Sequence, residues 1–160
     1  MKDGVDAITE QWAQERPDLD TTAMAVFGRV FRLAAAGANA THAAYMKYGI
    51  GRPEFDVLAT LRRSGAPYEL SPSELAASMM LSSGGTTARL DRLERAGLIV
   101  RRPSATDRRS VLVRLTDGGR VIIDQAVESG LSEQQDLLRH MGPEKVSLLN
   151  ELLREALRHV

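Results

Sequence analysis

The chain contains no cysteine. That excludes disulfides, thiolate metal sites and cysteine-based redox sensing, and it fits a reducing compartment. Aromatic residues make up only 4%, with a single tryptophan, so the core must be built from aliphatic side chains, and the abundant Leu and Ala favour helices. No apolar run approaches the roughly 18 residues of a membrane span. The opening MKDGVDAITE carries acids where a signal peptide needs an apolar stretch, so a cytoplasmic protein without a membrane partner is expected. The three histidines, His42, His140 and His159, are far apart, and neither a nucleophile motif nor metal-ligand spacing accompanies them. No enzyme activity, metal or cofactor is expected. The formal net charge is +0, so there is no overall basic excess for nucleic acid.

What is present answers that last objection. Residues 71–115 hold eight arginines against four acids, a net of +4, while the rest carries 13 basic and 17 acidic residues, a net of −4. Positive charge is concentrated on one stretch, as a surface facing phosphate requires.

That stretch also has the most legible local structure. Ser71, Pro72 and Glu74 form a capping box with proline at the first helical position. A short helix bearing Leu75, Ala76 and Met79 follows and fades near Met80-Leu81. Ser82 or Ser83 can cap a second helix, whose stripe of Thr86, Leu90, Leu93 and Gly97 keeps a spacing near 3.6, with Gly97 as a left-handed stop. Two helices joined this closely predict a helix-turn-helix with the second helix as reader. Leu98-Ile99-Val100 and Val111–Leu115 have strand character, and residues 101–110 between them read as an exposed, arginine-rich hairpin tip.

Helix-turn-helix plus basic hairpin makes a winged helix, and here the sequence resembles the MarR (multiple antibiotic resistance regulator) family of transcription factors. The run Arg89-Leu90-Asp91-Arg92-Leu93-Glu94-Arg95-Ala96-Gly97-Leu98-Ile99-Val100-Arg101 carries the likeness, followed by Asp107-Arg108-Arg109-Ser110-Val111-Leu112-Val113-Arg114-Leu115-Thr116. The expected fold is mostly α with a small β-hairpin wing. Residues 1–52 are N-terminal helices for dimerisation and a possible effector site, 53–115 the DNA-binding winged helix-turn-helix, and 116–160 C-terminal dimerisation helices. The apolar positions at both ends, among them Met24, Phe27, Val30 and Phe31 near the start and Leu149, Leu152, Leu153 and Leu157 near the end, are too many for one chain to cover. A homodimer is expected, and the resemblance implies the same. Within the C-terminal region, Ser129-Gly130 reads as a bend or weak point in a long helix.

Ser82, Ser83, Gly84, Gly85, Thr86 and Thr87 are small hydrogen-bonding residues that can approach base edges and phosphates of double-stranded DNA closely. The glycines are unfavourable inside a helix, and close approach to DNA is a reason to keep them; a loose helix start is the alternative. The same run lacks a phosphate-loop lysine. Arg92 and Arg95 suit backbone contacts or solvated charge better than base reading. The resemblance implies that Arg109 enters the minor groove, held by Asp107, with Arg108 beside it; a solvated turn is the alternative.

Asp56, between apolar neighbours, and Arg89, at the edge of the inward stripe, read as a charge pair tying the reading helix to its scaffold, since buried ions are usually paired. A subgroup of the family responding to urate and related anionic metabolites has a tryptophan, an aspartate and two arginines in positions matching Trp12, Asp56, Arg89 and Arg101. The resemblance therefore implies a repressor released by a small anionic or aromatic ligand. A winged-helix interaction or architectural module without ligand response is the alternative.

Overall fold

The computed structural model describes residues 2–79, 86–103 and 111–159. Two compact units are present, residues 1–40 and 41–160, and the second helix contributes to both.

In the first unit, α1 (Gly4–Glu15) starts at Asp3, whose side chain accepts from the Val5 and Asp6 amides while Asp6 caps in return. α2 (Thr22–Met46) begins just after Asp20, whose carboxylate accepts from the Thr22 amide at 2.9 Å. Arg29 on α2 reaches both Asp3 (2.9 Å) and Asp6 (2.6 Å), so the acids that cap α1 also anchor it. Val5 is buried where Gly28 lets the helices approach; a Cβ there would lie 3.1 Å from Val5 Cγ1.

The second unit is built around α3 (Arg52–Arg63), α4 (Pro72–Ser78), α5 (Thr86–Arg95) and α6 (Asp117–Leu138). A three-stranded antiparallel sheet completes it, in the order β1 (Glu69–Leu70), β3 (Val111–Leu115), β2 (Ile99–Pro103). The wing is therefore more than a hairpin. The two-residue β1 is too short for any periodicity to reveal, and it pairs with β3 because Glu69 and Leu70 fall opposite Arg114 and Val113. Leu58, Leu61, Leu75, Leu93, Ile99, Val113 and Ile123 are fully buried between these helices and the sheet. Val57 is buried with them.

The signals at the element ends operate as expected. Ser71 and Glu74 form the capping box of α4, and Gly97 has φ +70° after α5; α6 has its own cap in Thr116, which accepts from the Gly119 amide. Residues 129–130 depart from expectation: α6 runs unbroken through them. Gly130 is there for contact, since a Cβ would sit 2.8 Å from the Tyr45 ring, which stacks on Phe55 at a centroid distance of 3.9 Å. α7 (Pro143–Ala156) and a short 3-10 turn (Leu157–His159) end the chain, and α7 has no buried residue. No helix among the described residues is long and apolar enough to cross a membrane.

Candidate nucleic-acid interface

α5 is the second helix of the pair, the one the sequence assigns to reading DNA. Leu90 and Leu93 bury its inner face, which leaves Thr87, Arg92 and Arg95 for the outside, with Arg89 at the edge between the two. Of the residues expected to touch DNA, Ser82, Ser83, Gly84, Gly85, Asp107, Arg108 and Arg109 lie outside the described residues. Thr86 opens α5, and Thr87 is exposed one position further on.

Among the described residues, three arginines of the basic stretch are tied to carboxylates. Arg92 donates from Nε (2.8 Å) and Nη2 (2.6 Å) to Glu54 Oε1 on α3. Burial pushes the Glu54 carboxyl up, but Arg92, its own amide and the Gly51 amide outweigh this and hold it below the ordinary range. Arg101 at the root of the wing pairs with Asp91 (2.6 Å) and Glu94 (3.4 Å) on α5. Arg102 binds Glu69 on β1 through both carboxylate oxygens. Sequence reading passed over Glu54 and Glu69. Only Glu54 left a trace, as the third residue after Gly51 in a capping pattern, and its amide partner is indeed Gly51. The +4 of residues 71–115 therefore meets two acids supplied from outside that stretch.

The expected pair of Asp56 with Arg89 does not form. Asp56 Oδ1 instead accepts from Arg52 Nε at 2.8 Å, one turn back on its own helix. That partner is reached without any tertiary rearrangement, because residues four apart on a helix are neighbours. What remains is unusual. Asp56 Oδ2 and Arg89 Nη1 are the two buried side-chain polar atoms without a hydrogen-bond partner among the described residues. Asp56 lines a cavity of about 340 Å³ with Arg52, Thr60, Arg63, Ser78 and Met79. Arg101 lines a different one, of about 460 Å³, with Pro72, Thr87, Leu90 and Val111. Trp12 stands on α1 in the first unit, 41% exposed.

A helix-turn-helix pair followed by two antiparallel strands that form a wing defines a winged-helix DNA-binding protein. Comparison with known proteins agrees. The signature of the MarR family matches residues 48–110. The transcriptional regulator PecS of Dickeya dadantii is 41% identical over 156 residues, covering 98% of this chain and 94% of that protein. MarR of Escherichia coli is 33% identical over 105 residues, 65% of this chain and 71% of that one. A crystal structure of a mutant E. coli MarR complexed with operator DNA superposes with a TM-score of 0.71 at 26% identity, over 91% of this chain and 97% of that one. The chain belongs to the MarR family and is a DNA-binding transcriptional regulator.

Proposed function

We propose that the protein is a cytoplasmic, homodimeric repressor that leaves a pseudo-palindromic operator when a small anionic, ring-shaped metabolite binds. The observation that carries this reading is the pair of orphaned atoms, Asp56 Oδ2 and Arg89 Nη1. Leaving a buried polar atom without a partner costs about 1–3 kcal/mol, and one such atom belongs to the helix that reads DNA while the other belongs to the helix beneath it. A ligand offering an N–H to Asp56 and an anionic oxygen to Arg89, Arg52 or Arg63 supplies what is missing. Urate and xanthine have both kinds of group. Such a ligand acts on DNA affinity only through its preference for one arrangement of α5 over another. A coupling of about 5–150-fold is ordinary for such effects.

Dimerisation is supported by apolar surface without cover. Phe27 and Phe31 on α2 are 57% and 67% exposed, and Leu148, Leu152 and Leu157 are as open at the C-terminal end. Two reading helices on one dimer axis would address half-sites about one turn of DNA, roughly 10 bp, apart.

Titration of urate, xanthine and salicylate, followed by operator release and by fluorescence of Trp12, tests the ligand response. Release by an anionic purine and its loss in Asp56→Asn are expected. If none of the three changes operator affinity, this account of ligand control is wrong.

A further inference from the structure

Arg101 and Arg102 are neighbours on β2, and successive side chains of a strand point to opposite faces. The doublet accordingly grips two different elements. Arg102 reaches across the sheet to Glu69 on β1. Arg101 turns the other way, to α5, where Asp91 takes Nη2 at 2.6 Å and Glu94 takes Nη1 at 3.4 Å. Glu94 also accepts the backbone N–H of Arg101 at 3.0 Å. Among the described residues β2 is an edge strand paired with β3 alone, so Glu94 satisfies a backbone donor that the sheet leaves unpaired. The Arg101 side chain is only 28% exposed. A surface ion pair of one long side chain with one carboxylate contributes little. Here, two carboxylates one helical turn apart hold both the guanidinium and the backbone of one residue, and that geometry restricts how α5 can turn against β2.

We infer that Arg101, with Asp91 and Glu94, is the positioning clasp that fixes the reading helix relative to the wing, so that both elements meet the duplex at one set angle. The three residues act on DNA affinity through orientation. The clasp also explains why two acids are kept on the reading helix, where phosphate would repel them: their charge is directed at the root of the wing.

The sign of the effect of removing the acids tests this. Taking a negative charge off a DNA-facing helix tightens binding if the acid acts only through the electrostatic field. If the clasp positions the wing, Glu94→Gln and Asp91→Asn each weaken operator binding, and Arg101→Gln weakens it by about tenfold, equivalent to roughly 1.4 kcal/mol. Combining Arg101→Gln with either acid substitution should add almost nothing, because all three cut the same link. Arg101→Lys should recover only part of the affinity, since an ammonium cannot bridge two carboxylates in the planar manner of a guanidinium. Melting curves and fluorescence-anisotropy titrations of the full-length protein, over a salt series, supply the readouts. Tighter or unchanged binding by the two acid variants, or strictly additive losses in the double variants, would overturn the inference. Should Arg101→Gln fail to fold, the sign seen with Glu94→Gln and Asp91→Asn decides alone.

Discussion

The winged module and the last helix treat apolar side chains in opposite ways. In the module, Leu58, Leu61, Leu75, Leu93, Ile99 and Val113 are all but invisible to solvent. In α7, not one residue is buried, although Leu148, Leu152 and Leu153 recur on it at helical spacing. The two regions have the same kind of amphipathic pattern. One finds its complement inside the chain, and the other does not. The contrast teaches that the reading head is complete within one chain, whereas the tail carries a surface whose complement, on our proposal, is a second copy.

The largest effect expected from breaking this contrast lies in the module. Leu58→Ala removes a fully buried side chain and should destabilise folding by about 2–5 kcal/mol, lowering Tm by about 10 °C in a calorimetric scan. Gly119→Ala comes next. A Cβ there would fall 2.0 Å from the Leu98 carbonyl oxygen, which has backbone behind it and cannot swing away, so α6 must shift off the root of β2. Overpacking of this kind costs about 1–3 kcal/mol or more, and operator affinity should fall along with Tm.

A matched change in the tail sharpens the comparison. Leu152→Glu, placed on an exposed position, should leave the helical signal of the module in place yet shift sedimentation toward a single chain and weaken operator binding by about tenfold or more, because two linked reading heads bind far better than one. An unchanged dimer would remove α7 from the proposed interface.

The smallest effect concerns acid. The folded-state pKa of Glu54 is depressed, so the stability it contributes is fully present above its unfolded pKa and is lost as pH falls through the lower folded value. Glu54→Gln should therefore lower stability slightly at neutral pH and flatten the part of the acid-unfolding curve below the usual carboxylate range. Urea titrations at several pH values check this. The same variant releases Arg92 from its carboxylate, so its affinity for nonspecific duplex should rise at low salt.

Much of the fold was legible because its signals are local. A capping box needs two residues three apart, a left-handed stop needs one glycine, and a recognition stripe needs a spacing of 3.6; Ser71 with Glu74, Gly97, and Leu90 with Leu93 meet these conditions without reference to the rest of the chain. The interface was less legible. Arg92, Arg101 and Arg102 could be named from the sequence, yet Glu54 and Glu69, the partners of Arg92 and Arg102, lie 38 and 33 residues away from them, and nothing periodic connects them. The Asp56–Arg89 expectation fails for the same reason: both residues carry charge at the edge of the core, but direction decides pairing, and Arg52 lies nearer in the right direction.

By itself, then, the sequence determined the order of the helices, the presence of a wing and the placing of positive charge on it, because backbone conformation and hydrophobic period are set by residues within a turn or two. Only the tertiary structure decided which carboxylate meets which arginine, which polar atoms of Asp56 and Arg89 stay unpartnered, and that two residues near Tyr68 would add a third strand. These depend on where distant side chains end after the core has closed, and on a competition among partners whose separations no sequence spacing encodes.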